Sequence, residues 1–485
     1  MKKSIVLQSV DSPRRDMEWR LFMAARLAER GISSIIGSKS AIRAIHARSS
    51  DCIFLGRLDS NTGRTAYDRD YVKEMEKKGT ALFFLHDEGG LYYKGEYEDW
   101  VRKIYPEEYF SSEAVRKVLF WGDAQREVFA NSIYREKFEV TGFPRFDLCK
   151  PEFSRIDTIA VSRLKKKYGS FVLICGRFAA VNMVADDPSA LGKRSFDIRV
   201  EGGALKTKNR EEILRSMFAS WEKVSLEFSQ FVPAVARLAL DFPDLNFVLR
   251  PHPAEKESFY QDAFGHFDNI FIDKSGDVRP FIRASKALIH SECTTGLEAE
   301  LSSKSTINFR PCVEHPSSYK YEVAGVSDIG VIVKDYNGLK RELSEISDQG
   351  FHFLKSEYDA SNLALNFRGL SLSVDIICDL IEDFSISKKK CSRIKPGYNS
   401  LSFIRHYLIA EAKSFVKFLL RKFGVERFKK VLVGKGDLKS YEYTEEQLNE
   451  LWSTLDPENV EFLQRDGVIF VCPKACSHVA GKVED

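Results

Sequence analysis

Three short stretches carry residue types that can do chemistry. His86-Asp87-Glu88-Gly89-Gly90 directly follows the apolar run Ala81 to Leu85. Paired acids on a glycine turn at a strand's end can present a carboxylate to a cleft, where partial desolvation lifts its pKa toward the range a general base needs. The glycines let a ligand approach the backbone closely. Asp87 is the first candidate base and Glu88 the alternative carboxylate; the plainer reading is a solvated turn, since Asp and Gly are common turn residues. The second stretch, Arg250-Pro251-His252-Pro253, follows Phe247 to Leu249. Two prolines restrict the backbone on either side of one imidazole and orient it away from the strand. With Arg250 beside it, His252 can donate to a phosphate oxygen and stabilise a departing phosphate, although a single histidine after a strand is also a common structural residue.

The third stretch runs from Ile289 through Ser291, Glu292, Cys293, Thr294, Thr295, Gly296 and Glu298 to Leu301. An apolar strand ends there in a hydroxyl-rich turn that opens a helix, so the Ser291, Thr294 and Thr295 hydroxyls and the amides near Gly296 gather at one point suited to an anion. Thr294 or Thr295 can also serve only as the helix cap. Glu298 suits a ribose hydroxyl, or is favoured simply by the helix dipole. Weaker patterns are Asp68-Arg69-Asp70, read as a solvated face, and Cys472 with Cys476 and His478, which lack the second ligand pair of a closed zinc site. The sequence holds neither a Gly-x-x-x-x-Gly-Lys-[Ser/Thr] phosphate loop nor a Gly-x-Ser-x-Gly elbow, so P-loop and α/β-hydrolase chemistries have no support. No metal or resident cofactor is expected.

The elements that must position these residues are legible as alternation. Apolar runs at Ile5–Leu7, Ser34–Ile36, Ile53–Leu55, Ala81–Leu85, Val118–Trp121 and Phe138–Val140 alternate with helix-like stretches, the pattern of a parallel sheet with crossover helices. A second series begins at Phe171–Cys175 and continues through Phe247–Leu249, Ile270–Ile272, Ala287–Ile289, Thr306–Asn308 and Val331–Val333. An α/β protein of two units follows, residues 1–150 and 151–385, with its functional loops at the carboxyl ends of the strands. Residues 182–210 have no sustained period and read as a loop insertion near the cleft between the units, either a lid or a surface excursion.

Residues 386–485 form a C-terminal extension of different character. Between 388 and 435 it carries fourteen Lys and Arg against two Glu, a net of +12. Ile404, Leu408, Ala412, Phe415, Leu419 and Phe423 recur there at helical spacing, so a basic amphipathic helix is expected, suited either to an anionic inner-membrane surface or to packing on the preceding unit. A last helix from the capping box at Thr444–Gln447 follows in an acidic segment.

Composition bounds the rest. The 485 residues are 44% hydrophobic and 29% charged, enough for two or three globular units at about 100 to 200 residues each. Basic residues number 73 and acidic ones 70, so a net +3 gives no whole-chain attraction to nucleic acid. The apolar run before Asp11 is too short for a signal-peptide core, and no later stretch reaches the about 18 apolar residues of a spanning helix. The nine cysteines are scattered and odd in number, as for reduced thiols in a cytoplasm.

The order of the three stretches, acid-acid-Gly in the first unit, then His-Pro, then a Ser/Thr turn in the second, resembles bacterial sialyltransferases and related CMP-sugar transferases of the GT-B type. Trp121-Gly122-Asp123-Ala124-Gln125 and Val140 to Asp147 also look like segments of bacterial surface carbohydrate biosynthesis proteins. The likeness spans about residues 80 to 310. It implies two Rossmann-like domains facing across a cleft, the first for the acceptor and the second for the nucleotide-sugar donor. By it, Asp87 matches the catalytic base with Glu88 the alternative carboxylate, His252 matches the donor-phosphate contact, and Ser291, Thr294 and Thr295 fall where phosphate-binding hydroxyls are expected; from the residues themselves, Arg250, Gly296 and Glu298 join them as candidate donor contacts. The implied activity is transfer of a 2-keto-3-deoxy acid sugar, a sialic-acid-like nonulosonate or Kdo, from CMP to a glycan or glycolipid hydroxyl. A CDP-polyol phosphotransferase of teichoic-acid type, a UDP-sugar 2-epimerase-like enzyme and a non-catalytic partner docked on the membrane are the competing readings.

Overall fold

The computed structural model describes residues 4–11, 13–58, 66–87, 91–183, 210–315, 322–323, 325–348, 350, 371–387, 392–394, 460–465 and 468–473. In the first half lie strands β1 (Ile5–Val10), β2 (Ser33–Ser38), β3 (Ser49–Ser50), β4 (Ile53–Gly56), β5 (Ala81–Leu85), β6 (Val115–Phe120) and β7 (Phe138–Val140). The second half holds β8 (Phe171–Cys175), β9 (Asn246–Arg250), β10 (Ile270–Ile272), β11 (Leu288–His290), β12 (Thr306–Phe309) and β13 (Val331–Val333), and the tail β14 (Arg393–Ile394), β15 (Val460–Arg465) and β16 (Val468–Pro473). Every apolar run singled out in the sequence coincides with one of these strands, with only Trp121 and Ala287 one residue beyond.

The first sheet has the order β15-β16-β2-β1-β4-β5-β6-β7 and the second β10-β9-β8-β11-β12-β13. From β2 to β7 and throughout the second sheet, all pairings are parallel. Each sheet is covered on both faces, so its strands are buried on both sides and read as unbroken apolar runs. In β5, Ala81, Phe83 and Leu85 enter one core with Trp19, Phe22 and Met23, while Leu82 and Phe84 enter the opposite core with Tyr71, Val101 and Tyr105. The architecture is therefore α/β, with two Rossmann-like units.

In both sheets the order reverses once: between β1 and β4 in the first, between β8 and β11 in the second. At such a switch point neighbouring crossovers leave on opposite faces, and the loops beyond the carboxyl ends open a crevice. Asp11 and Arg57 follow β1 and β4, whereas Gly176 and Ser291 follow β8 and β11.

The tail departs from the sequence reading in two ways. Helix Ser373–Ser387, assigned there to the second unit, packs on the first: Val374, Ile377, Cys378 and Ile381 are wholly buried in the same core as Val6, Met23 and Phe83. Their spacing makes one apolar stripe, and burying each contributes about 1.5–3 kcal/mol relative to exposure. The region after 386 is also not wholly an extension. β15 and β16 form an antiparallel hairpin, and β16 pairs antiparallel with β2, so residues from the end of the chain complete the first sheet. The expected basic helix, the helix beginning at Thr444, most of the 182–210 insertion, Cys476 and His478 lie outside the described residues. Of Asp68-Arg69-Asp70, Arg69 and Asp70 are exposed on helix Ala66–Lys77, as a solvated face requires, and Asp68 is buried.

Candidate functional site

A cavity of about 850 Å³ lies between the two units. Asp87, Trp121, Phe143 and Arg145 line it from the first; Arg250, His252, Thr294, Thr295 and Glu298 line it from the second. The acid and the imidazole singled out in the sequence thus border one space.

Asp87 lies just past β5 and is only 2% exposed. Arg20 reaches it from helix Pro13–Glu29: Nη2 donates to Asp87 Oδ1 at 3.1 Å and Nη1 to the Leu55 carbonyl at 2.8 Å. Arg57 Nε is 3.6 Å from the other oxygen. Gly56 makes room for this guanidinium, because a Cβ there would come within 3.1 Å of Arg20 Nη2 and its φ of +143° disfavours other side chains. Burial is the larger influence on Asp87 and pushes its carboxyl up to about 6, with Asp16 adding to the rise and Arg20 and Arg57 opposing it. A carboxyl poised there exchanges a proton near neutrality. Asp11, by contrast, is held at about 2, because Arg57, Lys39 and Arg15 outweigh its burial. Glu88 lies outside the described residues.

His252 follows β9 in a loop tied down at its far side. The Glu255 amide donates to the His252 carbonyl at 2.8 Å, and the Glu255 carboxylate accepts from the Phe178 amide at 2.8 Å and the Tyr260 hydroxyl at 2.5 Å. The Ala254 amide donates to His252 Nδ1 at 3.2 Å, which assigns the neutral ring's proton to Nε2 and makes that nitrogen a hydrogen-bond donor. Arg250 borders the cavity but works on the protein itself. Its guanidinium donates to the carbonyls of Asp273, Ser275 and Gly276 and lies over the Phe281 ring at 4.6 Å, shaping the loop after β10. Arg250, expected from the sequence to bind the donor, thus stands at the cavity wall and also holds the loop after β10.

The Ser/Thr turn is divided by Glu292, whose φ of +45° turns its side chain inward. There it meets Arg177 at 2.5 Å, Lys223 at 2.7 Å and Arg310 at 3.5 Å. Burial would raise its carboxyl, but Arg177, Lys223 and Arg310 together hold it down at about 2. The turn is pinned again at His290, whose Nδ1 accepts from the Cys293 amide and whose Nε2 meets the Ile329 carbonyl, each at 3.2 Å. Burial lowers that imidazole to about 4, so it is neutral.

Of the hydroxyls, Thr294 is exposed to the cavity and Thr295 lies at its wall, with Oγ1 3.2 Å from Cys293 Sγ. Ser291 is 1% exposed and does not border the space, a correction to its donor-binding assignment. Gly296 is corrected likewise: it is buried, and a Cβ there would lie 2.5 Å from the His290 ring, so glycine serves packing and not a ligand. Glu298 does reach the cavity, paired with Arg145 of the first unit at 2.8 Å.

Arg15, Arg145, Trp121 and Phe143 are among the lining residues that carried no role in the sequence reading. Arg15 and Arg145 supply guanidiniums to the first wall, Arg15 through its position on the helix after β1, Arg145 within the Val140–Asp147 segment. Trp121 and Phe143 stack at 4.2 Å and 10°. Arg15 is what the strand-end rule, applied to β1, would have found. Among the described residues, no group of three His, Cys, Asp or Glu side chains is arranged to hold a metal ion, and no helix is long and apolar enough to cross a membrane.

No protein-family model matches the chain, and no curated protein matches it. Solved structures do. A Staphylococcus aureus MnaA structure with UDP has a TM-score of 0.43 at 14% identity, covering 81% of this chain and 99% of that one. The wall teichoic acid polymerase TagF has a TM-score of 0.45 at 11% identity, covering 80% and 90%. A Neisseria meningitidis UDP-GlcNAc 2-epimerase bound to UDP-GlcNAc has a TM-score of 0.44 at 12% identity, covering 79% and 100%.

Proposed function

We propose that the chain is a GT-B glycosyltransferase that moves a 2-keto-3-deoxy acid sugar, a sialic-acid-like nonulosonate or Kdo, from a CMP donor to a hydroxyl of a bacterial surface glycan. The observation that carries this reading is the shared cavity, with Asp87 on one wall and His252, Thr294 and Thr295 on the other. In the reaction, Asp87 accepts the acceptor's hydroxyl proton as that oxygen bonds to the anomeric carbon. The bond from that carbon to CMP breaks, and CMP departs with the electron pair. His252 Nε2–H and the threonine hydroxyls donate to the phosphate as its charge grows, which makes it a better leaving group. The basic segment 388–435 belongs to the same proposal as a means of holding the enzyme at the inner membrane surface, near a glycolipid acceptor.

The test pairs binding with turnover. CMP is expected to raise the melting temperature selectively over UMP, GDP and ADP, because a ligand that binds only the folded state stabilises it by mass action. Asp87→Ala abolishes sugar transfer and retains CMP binding, whereas His252→Ala weakens CMP binding as well. Because the base works ionised, the rate rises with pH through about 6. Transfer by both variants at the parent rate would overturn these roles.

A further inference from the structure

Between the base and the leaving phosphate of any such transfer sits the group being transferred. The cavity that Asp87 and His252 share is also lined by two guanidiniums, those of Arg15 and Arg145. Arg15 is within electrostatic range of both Asp87 and Arg145, and Arg145 in turn pairs with Glu298 beside Thr294 and Thr295. Arg15 is held by acids of its own unit: Nε and Nη2 donate to Asp16 at 2.8 and 3.2 Å, and Nη2 also reaches Asp11 at 3.5 Å, so its part at this wall is its charge. Arg145 donates only Nη2, to Glu298 at 2.8 Å; its Nε and Nη1 have no protein partner among the described residues, and its side chain is 21% exposed. A planar fork with donors left over in a sheltered space matches a carboxylate or phosphate, which can accept two parallel hydrogen bonds. A neutral sugar has no group that uses a fixed positive charge.

Resting on the transferase reading, we infer that Arg145, assisted by Arg15, binds an anionic substituent of the transferred unit and makes the enzyme selective for charged over neutral units. The carboxylate of a keto-acid sugar and the phosphate of a polyol phosphate share this chemistry. Glu298 then has a second task. It holds Arg145 across the two units and competes with the substrate's anion for the same guanidinium.

The experiment titrates CMP, CMP-sialic acid, CDP-glycerol, inorganic phosphate and sodium pyruvate against the parent, Arg145→Gln, Arg145→Lys and Glu298→Gln by calorimetry. In Arg145→Gln the affinity advantage of the preferred charged donor over CMP falls about ten-fold or more, the scale of one lost charge-assisted contact, while CMP binding itself changes less than two-fold. Arg145→Lys keeps the charge without the fork and falls between. Glu298→Gln binds the charged donor at least as tightly as the parent. The source of the anion is read from whether CMP-sialic acid or CDP-glycerol shows the loss. The inference is overturned if Arg145→Gln weakens CMP and the charged donors equally, or if Glu298→Gln reproduces the loss, since the pair would then be only a strut between the units. If the parent binds no cytidine nucleotide, the transferase reading fails separately. Phosphate and pyruvate then decide the arginine's role: binding lost in Arg145→Gln supports it, and equal binding by both proteins, or none by the parent, overturns it.

Discussion

Glu292→Gln removes one charge from the buried centre of the second unit and leaves the shape of the side chain almost unchanged. In the parent, Arg177, Lys223 and Arg310 surround the carboxylate and hold it at about 2 instead of its ordinary 4.5. That difference corresponds to about 3 kcal/mol of folding stability at neutral pH. Breaking a buried ion pair from one side costs about 3–5 kcal/mol in general, so the two routes agree. At about 2–4 °C per kcal/mol, the melting temperature should fall by roughly 6–12 °C. The sign with pH is fixed by the direction of the shift. A depressed carboxyl contributes fully above its unfolded pKa and loses its contribution as pH falls toward the folded one, so the gap between parent and variant narrows below about pH 4.5. Calorimetric melts of both proteins from pH 7 to pH 3.5 measure it. A loss under about 1 kcal/mol at pH 7, or a gap that stays constant with pH, refutes the account of this cluster.

Gly296→Ala drives a methyl group to within 2.5 Å of a His290 ring that is held on both nitrogens, so neither side can yield. A loss of about 1–3 kcal/mol is expected, and an unchanged melting curve would contradict it. Asp147 caps helix Ser373–Ser387 from the first unit, its Oδ2 accepting from the Val374 amide at 2.8 Å, so Asp147→Ala should cost about 1 kcal/mol while Asp147→Asn keeps the cap. Burial raises the Asp147 carboxyl to about 6, so its contribution is fully present below pH 3.8 and declines as pH rises through 6. Denaturant melts across that range should show Asp147→Asn gaining on the parent with rising pH; parallel curves would rule the burial argument out.

The two sheets were legible because parallel strands buried on both faces must be apolar throughout, which leaves runs such as Ala81–Leu85 and Phe171–Cys175 standing out against polar crossovers. What stayed hidden depends on partners far away in the chain. Helix Ser373–Ser387 shows its apolar stripe locally, but nothing local says that the stripe covers Met23 and Phe83 instead of the unit it directly follows. The β15–β16 hairpin is hidden for the same reason, since its value to the fold is an edge offered by β2 more than 400 residues earlier.

The site divides along the same line. Asp87 and His252 could be found because a strand's carboxyl end fixes where the next residue emerges, and that is a local property. Ser291 and Gly296 were misassigned because the turn's course depends on Glu292, and Glu292 goes inward only when Arg177, Lys223 and Arg310 are there to receive it. Spacing alone treats every hydroxyl in such a turn as equally available. Once the acid is buried, Thr294 and Thr295 are the hydroxyls of this turn that border the cavity. Arg145 escaped notice for the converse reason: it resembles any surface arginine until Glu298, 153 residues further on, brings it to the wall of the cavity. Residues that border the cavity at strand ends can therefore be read locally, whereas Arg145, which meets Glu298 across the two units, emerges only when both units are in place.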